Sequence, residues 1–94
     1  MRGVRRVLAS SEQMKWLRKV IGAAVYFDDA SLKNVATKSG TAYGTVYRVA
    51  NKQVKNVQLA TYTQMAEGLK RGFPRAFRSI GEPPGPFFEG YGVD

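Results

Sequence analysis

The sequence predicts an all-α fold: a small four- to five-helix domain with a basic N-terminal arm and an irregular Phe/Pro/Gly-rich C-terminal tail. Three observations predict it. Apolar residues recur at spacings of three and four in successive segments, the period of a helix with one buried face. Serines stand directly ahead of two of those segments, where a side-chain oxygen can accept from the orphan N–H groups of a first turn. No pair of segments alternates apolar and polar residues as paired strands would, so the β-branched run at 45–49 lacks a strand partner and reads as helix.

Each element follows in order. Residues 1–10 form the arm, with Arg2, Arg5 and Arg6. Ser10 and Gln13 have capping-box spacing, and Met14, Leu17, Val20, Ile21 and Ala24 then share a face, giving a first helix over about 11–24. Trp16 belongs to the core or its edge, and Lys15, Arg18 and Lys19 fall on the other side. Ser31 caps a second helix over about 32–38, with Leu32, Val35 and Ala36 on one face. Ser39-Gly40-Thr41 breaks it, with Gly40 placed to take a left-handed conformation. Thr41 is the expected cap of a third helix over about 42–50, whose inner face is Val46 and Val49. Residues 51–57 read as a polar loop. Leu59, Tyr62, Met65, Ala66 and Leu69 make the stripe of a fourth helix over about 59–70, slightly weakened by Gly68 and ended near Gly72 and Pro74.

The domain is therefore placed at 11–72, between the arm at 1–10 and a tail at 73–94. The tail holds all four prolines and many glycines, so no regular helix is expected beyond about residue 80. Phe73, Phe77, Phe87, Phe88 and Tyr91 are too many aromatics for an inert segment. Three readings stand: the tail packs back on the domain, forms a dimer interface, or recruits another protein. Packing or dimerisation is favoured, because exposed aromatics cost solubility.

Composition narrows the function classes. The 94 residues suffice for one small domain with a modest core. Cysteine and histidine are both absent, which removes disulfides, thiolate or imidazole metal sites, and His- or Cys-based catalysis. No nucleophile–base pair or paired acids stand out among the remaining side chains, so neither an enzyme nor a cofactor is expected. The apolar runs are too short for a bilayer span or a signal peptide, which points to a cytoplasmic protein with no membrane partner. A net charge of +8 attracts polyanions, nucleic acid first. Residues 30–66 carry Lys33, Lys38, Arg48, Lys52 and Lys55 and no acid.

That acid-free stretch contains two short helices joined by a tight Gly-containing turn, the pattern of a helix-turn-helix. Ala36 is small where the third helix crosses the second. Val35, Val46 and Val49 fill the wedge between them. The outward side of the third helix is then free to enter a major groove, which admits one α-helix.

Residues 32–51, LKNVATKSGTAYGTVYRVAN, together with the stripe Leu59, Tyr62, Met65, Ala66 and Leu69, resemble the lambda-repressor-like, Cro-type helix-turn-helix family. The resemblance covers about residues 11–70. It departs from the family pattern in three places. Lys52 stands where Gly often follows Asn, so Asn51 is expected to take the left-handed conformation. Ala42 stands where Ser or Thr often caps the reading helix. The connection between the first two helices is longer than usual.

The resemblance implies a double-stranded-DNA-binding transcriptional regulator, a repressor of a phage or mobile element that occludes an operator as a homodimer. By position, Ala42, Tyr43, Gly44, Thr45 and Arg48 become the base-facing set, with Arg48 suited to bidentate pairing with guanine. Lys33, Lys38, Tyr47, Asn51, Lys52 and Lys55 become phosphate contacts. Tyr47 has a second reading as a partly buried core residue. Arg5 and Arg6 join the phosphate set if the arm reaches the DNA, against the plainer reading of a charged terminus. The alternative function is a protein-interaction module, an inhibitor or an assembly or packaging accessory, that uses the helix-turn-helix as a scaffold.

Overall fold

The computed structural model describes residues 7–84. Among these residues there are five helices and no strand: α1 (Ser11–Phe27), α2 (Leu32–Ser39), α3 (Tyr43–Ala50), α4 (Leu59–Gly72) and α5 (Pro74–Ile80).

Local signals fix most of the helix starts. Ser10 Oγ accepts from the Gln13 N–H at 3.1 Å, and Gln13 Oε1 accepts from the Ser10 N–H at 2.8 Å. Ser31 and Asn34 repeat this box for α2, at 3.1 and 3.0 Å. Gly40 closes α2 with φ +68°, the left-handed turn expected of it. α1 runs three residues past its expected end, through Val25, Tyr26 and Phe27. It stops where Asp29 turns left-handed at φ +54°, and the Ala24 carbonyl accepts from both Asp28 and Ala30. A short polar side chain tolerates that conformation better than most.

Three helices, α3, α4 and α5, start without a side-chain cap. Thr41 does not cap α3 as expected: the N-cap is Ala42, which offers no side-chain oxygen. The α4 start is served from a distance. Residues 7–9 run antiparallel to 57–59, and the first amide of α4, Leu59 N–H, donates to Val7 O at 2.7 Å. Ala9 N–H donates to Val57 O, and Asn56 Nδ2 donates to Ala9 O. The end of the arm is thus part of the fold, satisfying donors that Gln58 leaves open.

The irregular tail expected from residue 73 begins later. Pro74 starts α5 rather than ending the structure, because a proline at the first helical position loses only an N–H that has no intrahelical partner. α5 buries Ala76 and Phe77 against α1. Trp16 packs edge-on to Phe77 and to Tyr62, with ring centroids 5.7 and 6.0 Å apart. Its indole N–H donates to Gly81 O at 2.9 Å. For Phe73 and Phe77, packing back on the domain is what the fold contains. Phe87, Phe88 and Tyr91 lie outside the described residues.

The core draws on every helix: Leu17, Val20 and Ile21 of α1, Val35 of α2, Val46 and Val49 of α3, Tyr62, Met65 and Leu69 of α4. Burial pushes the Tyr62 phenol well above its ordinary pKa, so it stays protonated. α2 lies unusually close to α4. A Cβ on Gly68 would meet Ser39 Cα at 2.3 Å. Gly68, expected only to weaken α4, is what allows this approach.

Candidate nucleic-acid interface

α3 buries Val46 and Val49 and nothing else completely. At 100° per residue the opposite side is centred on Gly44 and Asn51 and flanked by Tyr47 and Arg48. Tyr43, Tyr47 and Arg48 are exposed, and Tyr47 is 42% accessible, which settles its two readings in favour of the surface. The Tyr43 and Tyr47 rings sit one turn apart with centroids at 6.1 Å. Arg48 lies back along the helix, its Nη1 3.5 Å from where a Gly44 side chain would begin. Ala42 is exposed at the N-cap, while Thr45 is half-buried at the border with the core.

The α2–α3 unit is held from outside at its turn and at its C-terminal end. Gln64 of α4 donates from Nε2 to Gly40 O at 2.8 Å and to Ser39 O at 3.2 Å, which occupies carbonyls of the turn. Arg18 of α1 donates from Nε to Val49 O at 3.1 Å and from Nη2 to Val54 O at 3.3 Å. A cation there satisfies a C-terminal carbonyl of α3 and complements that end of the helix dipole. Sequence reasoning placed Arg18 on an outer face and missed this clamp. No local signal marks it, because its acceptors lie 31 and 36 residues away. Arg18→Ala is expected to cost about 1.5–3 kcal/mol of unfolding free energy, the range for hydrogen bonds from a charged group. Urea denaturation measures it, and a change below a few tenths of a kcal/mol would rule the clamp out.

The expected phosphate set divides. Lys33, Lys52 and Lys55 are exposed. Asn51 is exposed as well, but its amide donates to Tyr47 O at 2.9 Å and so caps its own helix. Lys38 is exposed too, with its stem at the position a Gly72 side chain would occupy and its ammonium 5.7 Å from the Phe73 ring centroid. Arg5 and Arg6, like Arg2, lie outside the described residues.

The left-handed residue after α3 is not Asn51, which has φ −97°, but Lys52, with φ +59°. A β-carbon is strained there, by about 1–2 kcal/mol. Lys52→Gly is therefore expected to raise stability by up to ~1 kcal/mol, since glycine's larger entropy loss offsets part of the relief. The same change removes a cation next to α3. A rise in melting temperature paired with weaker DNA binding is the expected joint result.

Among the described residues no group of three or more acidic, His or Cys side chains is placed to hold a metal ion, and no helix is long and apolar enough to cross a membrane. Compared with known protein families, curated proteins and solved structures, the chain matches none.

Proposed function

We propose that this protein is a sequence-specific double-stranded-DNA-binding transcriptional regulator that reads a major groove with α3 and represses by occluding its site as a homodimer, as in a phage or mobile element. The observation that carries the reading is the outward face of α3. Tyr43, Tyr47 and Arg48 are exposed on one side of α3 with half-buried Gly44 among them, in a stretch of chain with five cations and no acid, on a helix held at its C-terminal end by Arg18 and preceded by a turn that Gln64 holds. A groove-reading helix needs this combination. Its own geometry must be fixed by the scaffold, its outer side chains must be free, and its surroundings must attract phosphate.

The roles divide by chemistry. Arg48 presents a planar guanidinium suited to guanine O6 and N7. Tyr43 and Tyr47 offer hydroxyls to phosphate and ring edges to a thymine methyl. Lys33, Lys52 and Lys55 supply point charges to the backbone on either side.

Selection of bound sites from a random duplex library at near-physiological salt tests the proposal. Two inverted half-sites about 10 base pairs apart would mark a dimer, a single short motif a monomer. Arg48→Ala should then lose about 5- to 150-fold in affinity for the selected site, equivalent to about 1–3 kcal/mol, with much less change on random duplex. No enriched motif, or an unchanged preference in the variant, would remove the sequence-specific reading.

One observation favours the second reading, a protein-interaction module. Val25, Tyr26 and Phe27 are exposed at the end of α1, Tyr26 by 80%, and the two rings meet edge to face at 4.9 Å. Aromatic pairs of this kind are enriched at protein interfaces.

A further inference from the structure

A groove of about 830 Å³ runs between α1 and the segment that follows α3. Lys15, Arg18 and Lys19 line one wall, and Lys52 and Lys55 line the other, with no acid between them. Met14 and Val54 contribute apolar atoms to the lining, and Gln53 and Ser11 contribute polar ones. We infer that this groove is a second, sequence-independent DNA contact, which takes the sugar-phosphate backbone of the duplex next to the base pairs that α3 reads.

Three features support this. The first is charge. Lys15 and Lys19 stand one turn apart on α1, and both are exposed. Like charges four residues apart on a helix repel each other, and those on the facing wall add to the cost, although Glu12 and Glu82 in the neighbouring cleft beside Lys15 and Lys19 offset part of it. A polyanion along the groove turns each repulsion into an attraction and releases the counterions of the phosphates it presents. The second is strain. Lys52 holds a left-handed backbone that glycine would adopt freely, so the chain keeps a cation there at a cost in stability. The turn itself closes α3, through Lys52 N–H to Val49 O and Gln53 N–H to Arg48 O, but it does not require a cation, so strain and like charges at one place point to a bound anion. The third is continuity. Asn51 on the outer side of α3 is followed directly by Lys52 on the groove wall, so a strand passing over the end of α3 runs into the groove.

Arg18 plays a different part from the other four cations. It is committed to the carbonyls of Val49 and Val54, and so fixes the separation of the two walls. The lysine ammonium groups, mobile and strongly hydrated, suit a backbone contact that fixes no base identity. An open channel flanked by lysines suits an extended polymer better than a small anion, which needs a closed pocket with convergent donors.

This inference rests on the DNA-binding reading, and the test separates the two. The full chain and a Lys15→Gln/Lys19→Gln variant are titrated against random-sequence duplex across a salt series, and then against the site selected for α3. Removing two phosphate contacts should lower the slope of log affinity against log salt by about 1.8, at 0.9 per contact. The selected motif should be unchanged, and the melting temperature should be equal or higher. A wild-type slope that is steep and survives in the variant overturns the groove while leaving α3 as a reader. A wild-type protein that binds no duplex overturns both. Inorganic tripolyphosphate serves as the competing probe. If it protects the protein against heating in a Lys15- and Lys19-dependent way while the duplex slope stays the same, the groove is a small-anion site and the inference fails.

Discussion

Replacing Gly68 by alanine is expected to destabilise the domain by about 1–3 kcal/mol or more, the cost of overpacking a tight interior. The usual effect has the opposite sign, since alanine in a helix interior is favoured over glycine by about 1 kcal/mol. The reversal comes from α2. The new methyl would lie 2.3 Å from Ser39 Cα, 2.6 Å from Ser39 Cβ and 3.0 Å from Lys38 O. These are backbone or backbone-proximal atoms that cannot rotate away. Ser39 is also held in place, its Oγ donating to Val35 O at 2.7 Å and its own carbonyl accepting from Gln64. Relief therefore requires α2 to move off α4 as a body, which opens the packing of Val35 against its neighbours in the core. Gly22 provides the control. It is exposed on α1, and nothing lies within 4 Å of where its Cβ would be. Gly22→Ala should raise stability by roughly 0.5–1 kcal/mol. Equilibrium unfolding of both variants should move the two midpoints in opposite directions. A Gly68→Ala protein as stable as the parent would mean that α2 and α4 are not in contact at Ser39.

The second large effect is the salt dependence of DNA binding. Six to ten phosphate contacts lower affinity about 10³–10⁵-fold between 50 and 200 mM salt. Lys33, Lys38, Lys52 and Lys55 are the exposed cations available for phosphate around α3, with Arg48 kept for a base. Four contacts give about a 10²-fold loss over that range, and adding Lys15 and Lys19 from the groove gives about 10³-fold. The measured slope thus reports how far the duplex extends beyond α3. A flat response would exclude direct contact with the phosphate backbone. That outcome would favour the protein-interaction reading and turn attention to Val25, Tyr26 and Phe27.

Much of the fold was legible because its signals are short-range. The Ser10/Gln13 box, the Ser31 cap, the left-handed Gly40 and the apolar stripes each act within about one or two turns of helix, so the residues that carry them are neighbours in the sequence. The exposed face of α3 was legible for the same reason, since Val46 and Val49 fix which side is inward. Two local rules gave the wrong result when a competing local fit prevailed. Thr41 was read as a cap, but the cap is Ala42, one residue later, and the helix begins at Tyr43. Asn51 was read as left-handed, but its side chain bonds to Tyr47 O, and the turn falls on Lys52. A fifth helix was allowed for but not placed, because Gly72 and Pro74 together read as an ending, whereas burial of Ala76 and Phe77 against α1 makes Pro74 the start of α5.

The sequence by itself determined where four helices lie, how two of them are capped, which face of α3 is free, and that the middle of the chain is basic. Only the tertiary structure decided what identical residue types do in different places. Gly22 is dispensable and Gly68 is required, though both sit inside helices. Arg18 is a clamp while Lys15 and Lys19 beside it stay free for a ligand. Lys38 lays its stem against Gly72 and its ammonium near Phe73, while Lys52 lines the groove beside α1. The physical reason is common to all three. Periodicity and capping depend on atoms within one turn of the same helix, but steric room and hydrogen-bond partners across helices depend on segments 25 or more residues apart, whose separation is set only when the core closes.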